Sequence, residues 1–186
     1  VNVTQLVLAE LAVLTLMVGV IDARTRHIPN RLLLIGLLVG APLHGVSYFI
    51  QRPAESAVQT LLAALLSVFA GLLLCAALPL FLFRVNAMGG GDVKLLAVIG
   101  ATAGPFVGME IELYSLVLLA LFAPIRLAYQ GQLLRALGNS LSLAVNVVLP
   151  KARRRPVPPE LMTALPLGPA VFVATVLVSL PRVWQP

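Results

Sequence analysis

Long apolar stretches alternate with short polar ones along this chain of 186 residues. Leucine, alanine and valine run almost unbroken through 4–21, 32–50, 57–83, 93–108, 112–129 and 162–181. A helix of about 20 such residues crosses a bilayer, and fewer suffice where flanking side chains reach for the interface. The runs lack the two-residue alternation of a membrane β-barrel. Backbone polar groups in lipid must then pair within their own segment, so each run predicts a transmembrane helix. The expected fold is an all-α integral membrane protein with six spans, forming one polytopic domain over residues 1–186. The first run lacks the basic start and small-residue cleavage site of a secretory signal, and it is expected to remain as a helix.

One stretch breaks the pattern. Leu133, Leu134, Leu137, Leu141, Leu143, Val145 and Val148 are interleaved with Arg135, Asn139, Ser140, Ser142 and Asn146. This mixture predicts an amphipathic helix lying in the membrane interface over 131–149, followed by a basic, proline-rich linker to residue 160. A seventh span is the competing reading.

Composition strengthens the membrane assignment. Hydrophobic residues make up 60% of the chain and charged residues 11%, against about 25% charged in a soluble domain. Mean hydropathy is +1.01. The single cysteine, Cys75, excludes an internal disulfide framework and a tetracysteine zinc module. No metal and no cofactor is expected.

The net charge of +6 does not point to nucleic acid, because the basic residues gather in alternate loops. With the amino terminus facing outward, all of the thirteen lysines and arginines except Arg52 and Arg182 fall on the cytosolic side. The protein is expected in the inner (cytoplasmic) membrane in that orientation. The Lys151–Arg155 run suits anionic lipid headgroups. The sequence sets no oligomeric state.

The same topology brings two acids to the cytosolic side. Asp22 ends the first apolar run, and Asp92 follows the glycines Gly89, Gly90 and Gly91. An ionisable group at a bilayer edge is costly and calls for a partner. Two carboxylates sharing a site titrate as a unit, so one can deprotonate a water while the other protonates a peptide carbonyl. Three glycines before Asp92 let backbone approach backbone, and a helix start favours negative charge. Taken singly, Asp92 also suits a plain helix cap and Asp22 a solvated loop acid.

The surrounding residues are more specific. Asp22-Ala23-Arg24-Thr25-Arg26-His27-Ile28-Pro29-Asn30 resembles the first active-site motif of the type IV prepilin peptidases. Met88-Gly89-Gly90-Gly91-Asp92-Val93-Lys94 resembles their second, the GxGD signature. Leu165-Pro166-Leu167-Gly168-Pro169 resembles a weaker third element.

The resemblance implies an intramembrane aspartic endopeptidase that removes leaders from prepilins or pseudopilins at the cytosolic face. Asp22 and Asp92 would be its catalytic pair, and Gly89 and Gly91 its signature glycines. Pro29, Asn30, Lys94, Pro166 and Gly168 would support site or substrate. The chain has no paired cysteines, and its first two apolar runs are joined by a short loop. It is therefore similar to the peptidase-only branch serving tight-adherence (Flp) pili, without methyltransferase activity. Its expected partners are the pilin substrate and the bilayer. The rival readings are a proton- or ion-coupled transporter or assembly subunit using the same acids, and a presenilin-like protease acting on ordinary signal peptides.

Overall fold

The computed structural model describes residues 3–129, 131, 138 and 166–183. The interfacial helix expected over 131–149 falls almost wholly outside them. Among the described residues there are six helices and no strand. They are α1 (Val3–Thr25), α2 (Asn30–Gln51), α3 (Ala57–Arg84), α4 (Gly90–Ala103), α5 (Pro105–Tyr129) and α6 (Gly168–Val183).

Local chemistry sets the boundaries. Pro29, with φ −68°, leads into α2 in extended backbone. Ser56 caps α3 by accepting a hydrogen bond from Gln59 N at 3.3 Å. Gly104, at φ +81°, ends α4, and Pro105 opens α5. A left-handed glycine followed by proline is the natural stop-and-start signal between helices. The break therefore falls at Gly104 and not between 108 and 112, where the expected fourth and fifth spans left a gap. Glu110 and Glu112 both lie within α5.

Among the described residues four helices are long and apolar enough to cross a membrane: α1, α2, α3 and the Pro105–Phe122 part of α5. The other two are shorter, 14 residues in α4 and 16 in α6. At 1.5 Å per residue α4 rises roughly 21 Å, well short of a hydrocarbon core of about 30 Å. The chain is thus an all-α, multi-pass membrane protein.

The short α4 occupies the middle of the bundle, touching α1, α2, α3 and α5. Its Leu95, Leu96 and Ile99 are wholly buried, as are Leu11 and Val18 of α1, Ile111 of α5 and Val171 of α6. The outer faces are apolar too, with Leu66 at 69% and Leu73 at 65% exposure on α3. In a bilayer those faces meet lipid, so packing between helices rests on shape.

The two ends of the bundle differ in chemistry. At one end Gln51 reaches Thr4, and Arg182 pairs with Glu110. The other end gathers the last turn of α1, the first turns of α2, α4 and α6, and the last turn of α3. Asp22 and Asp92 both lie there.

Candidate active site

Asp22 sits one turn before the end of α1. The helix continues to Thr25, whose hydroxyl donates to Ile21 O at 2.8 Å. The chain then turns sharply at Arg26, a non-glycine residue at φ +52°, whose N–H donates to Asp22 O at 2.8 Å. The Asp22 side chain points inward and is only 5% exposed. A carboxylate this deeply placed needs hydrogen-bond donors. The start of α6 supplies one: Gly168 N–H donates to Asp22 Oδ2 at 2.9 Å. The N-terminus of a helix carries partial positive charge, which suits an anionic oxygen.

That contact depends on two glycines. A Cβ on Gly168 would lie 2.9 Å from Asp22 Cβ and 3.0 Å from Gly19 Cα. A Cβ on Gly19 would lie 3.2 Å from Gly168 O. The backbones of α1 and α6 therefore meet one turn before Asp22.

Asp92 occupies the first turn of α4 and is partly buried. Its Oδ2 accepts the Gly89 N–H at 3.3 Å. This is half of a capping box, since Gly89 has no side chain to return the bond. The cap function suggested by sequence is present, and the same carboxyl feels the charge of Asp22. Burial raises the Asp92 pKa from 3.8 to about 6, the negative charge of Asp22 adds to the rise, and the Gly89 N–H opposes it. Asp92 lies ahead of the apolar part of α4, at the edge of the spanning region.

The remaining sequence candidates divide clearly. Gly91 backs onto Ile28, and Gly90 onto the ring of Phe83. Lys94 Nζ donates to Asn30 Oδ1 at 3.0 Å, linking α4 to the start of α2. Among the described residues the ion pairs are Arg52–Glu55 and Arg182–Glu110, so Lys94 is not paired with either aspartate. Pro166 is half-buried at the approach to α6, and Leu167 beside it is buried in the core.

His27 is exposed on the loop, and His44 lies in α2 against Ser67 at 3.0 Å. Glu10 lies against Gly40 of α2, where an added Cβ would meet its Oε2 at 2.9 Å. Among the described residues no three His, Cys, Asp or Glu side chains gather as a metal site.

Two contributors were given no role of their own from sequence, although Ile28 belongs to the first motif. Gly19 stands one turn before Asp22, and Ile28 is an apolar residue in a polar loop just before proline. Each of those placements was a usable signal.

Helix ends thus converge at one end of a membrane bundle, where Asp22 is buried and Asp92 partly buried, and the fold is that of a multi-pass membrane protein with acids at one edge. The profile of the type IV leader peptidase family matches residues 9–124, and the chain belongs to that family. The matched region contains both aspartates and stops short of Gly168. No curated protein and no solved structure matches the chain.

Proposed function

We propose that this protein is an intramembrane aspartic endopeptidase of the GxGD type. It removes the leader of type IV prepilins or pseudopilins at the cytosolic membrane face, with Asp22 and Asp92 as its reacting pair. Family membership supports leader cleavage. The observation that carries the pair is their placement together at one end of the bundle, Asp22 buried and Asp92 partly buried, where burial and the charge of Asp22 push the Asp92 carboxyl up. A neutral acid beside an anionic one is what shared acid–base work requires.

The roles follow from the surroundings. Asp22, facing the start of α6, is the base: it takes a proton from a water whose oxygen attacks the scissile carbonyl carbon. Asp92 is the acid: its proton passes to the carbonyl oxygen as the tetrahedral centre forms. Collapse of that centre breaks the C–N bond: the proton held by Asp22 passes to the leaving amine, one hydroxyl of the centre returns its proton to Asp92 as the carboxyl C=O re-forms, and both acids regain their starting states. Gly89 and Gly91 keep the backbone beside Asp92 free of side chains.

In this reading all six helices cross, with α4 and α6 spanning a locally thinned region. The amino terminus faces outward. The short loop between α1 and α2 leaves no room for a methyltransferase segment, and the substrate is a tight-adherence pilin. Placing both acids at one end of the bundle disfavours the transporter reading, which needs acids along a path through the membrane.

The test is co-expression with candidate prepilins and measurement of pilin mass. Loss of the leader is the expected result, and a pilin of unchanged mass in every pairing would falsify the proposal.

The proton on Asp92 predicts a pH profile. It is lost as pH rises through about 6, so kcat/KM falls above that point, by about tenfold per unit. Bound leader displaces water and raises the affinity further. The alkaline limb of kcat therefore lies at higher pH than that of kcat/KM. Coincident limbs, or a flat profile from 5 to 8, would remove Asp92 as the acid.

A further inference from the structure

Between Ala23 and Arg31 only Ile28 is buried, at 5% exposure. Its neighbours on both sides are exposed or half-exposed, so the loop turns one side chain into the bundle. There it joins the core that includes Leu33, Leu95, Leu96 and Leu167. It rests on Gly91: a Cβ at that glycine would lie 3.3 Å from Ile28 Cβ and 3.6 Å from Cγ1 and Cδ1. Gly91 immediately precedes Asp92. Two residues after Asp92, Lys94 is held by Asn30 of the same segment at 3.0 Å. The segment therefore grips the first turn of α4 on both sides of the acid.

The other end of this grip is fixed to Asp22. Arg26 N–H donates to Asp22 O at 2.8 Å, and the Thr25 hydroxyl lies within reach of both Ile21 O and His27 O. Six residues thus connect one acid to the support of the other through a short, hydrogen-bonded turn. A β-branched side chain is stiff about χ1 and makes a firm spacer. Glycine at 91 lets that spacer reach the backbone.

We infer that Ile28 is a positioning residue: seated on Gly91, it sets the separation and mutual orientation of Asp22 and Asp92. The inference rests on the reading of those two acids as the reacting pair. Its reach is large, because a misplacement of about 1 Å costs on the order of 10²-fold in rate.

The experiment uses the full chain in detergent with a tight-adherence prepilin that the unaltered protein cleaves. Ile28→Ala, Ile28→Val and Gly91→Ala are compared with Leu33→Ala, which opens a cavity in the same core. Thermal midpoint, kcat, KM and the pH profile are measured for each.

The expected result for Ile28→Ala is a kcat lower by about 10- to 100-fold with KM unchanged. The alkaline limb of kcat/KM moves to lower pH, since water reaches Asp92 and Asp22 bears on it less. Ile28→Val, which keeps the branch, stays close to the unaltered rate. Leu33→Ala loses thermal stability but keeps both kcat and limb.

An Ile28→Ala variant that retains kcat, or loses it with the limb unmoved, overturns the inference. If that variant does not fold, Gly91→Ala presses on the same contact from the other side, and unchanged kcat and limb there overturn it equally. Asp22→Asn is run alongside. Should it cleave at full speed, the catalytic reading falls and takes this inference with it. Should it be inactive while the Ile28 and Gly91 variants behave normally, the inference alone falls.

Discussion

Asp22→Asn and Asp92→Asn each lower leader removal by roughly 10²–10⁴-fold, the range lost with a general acid or base, while the protein stays folded. The second half of that expectation comes from the hydrogen bonds. Asp22 Oδ2 accepts from Gly168 N–H, and Asp92 Oδ2 accepts from Gly89 N–H. An asparagine carbonyl oxygen can take either bond, so the start of α6 and the cap of α4 survive the change. What is lost is the ability to take up and release a proton. Because the two carboxyls act as a unit, the double variant should be no slower than the worse single one.

Alanine at position 92 is a different experiment. It also removes the cap, which costs about 1 kcal/mol, and so confounds chemistry with stability. The measurement is pilin mass after a fixed time, beside thermal midpoints in the same detergent. Cleavage at the unaltered rate by either asparagine variant would end the acid–base assignment. Slow cleavage with a collapsed midpoint would place these acids in the scaffold instead.

These acids drew notice in the sequence because an ionisable group at the end of an apolar run is costly in lipid, and because the two fall on one side together, although a cap or a solvated loop acid suits either one alone. The positions of α1, α2 and α3 were legible because a spanning run of leucine, alanine and valine leaves few alternatives. The α4–α5 junction was not. The expected spans 93–108 and 112–129 left Glu110 in the gap between them and set Glu112 at the start of the fifth. In the structure Glu110 pairs with Arg182, and Glu112 is buried within α5. Arg182 is distant in the chain, and nothing local announces it. The true boundary carried its own mark in Gly104-Pro105, a signal of backbone geometry that hydropathy does not register.

The role of Gly168 was half legible. The motif around it suggested support for the site. Only the packing of α6 on α1 brings its N–H onto Asp22. Ile28 was harder to see, since its value lies in what it touches. The glycine it rests on is 63 positions further along the chain.

Gly71→Ala is expected to prevent stable assembly of the bundle, and with it all cleavage. A Cβ at Gly71 would lie 1.9 Å from Gly100 O, and one at Gly100 would lie 2.2 Å from Gly71 O. The backbones of α3 and α4 touch at these two glycines. Gly108 of α5 closes on the same point, where a Cβ would meet Gly100 Cα at 2.7 Å. An extra methyl in a packed core usually costs about 1–3 kcal/mol, because neighbouring side chains shift. Here the obstacle is a backbone carbonyl within a helix and cannot rotate away, so the two helices must part.

Parting reaches the site, since Asp92 rides on α4 about 12 Å from Gly100. Gly45→Ala supplies the contrast. Nothing lies within 4 Å of a Cβ there, so it should leave folding intact or improve helix stability by up to about 1 kcal/mol. Glycines in apolar helices look alike in sequence, and this pair of variants separates one that faces backbone from one that faces open space. Equal thermal midpoints for Gly71→Ala and Gly45→Ala would mean that α3 and α4 do not meet as described, and the seating of Asp92 would have to be drawn again from a different packing of α4.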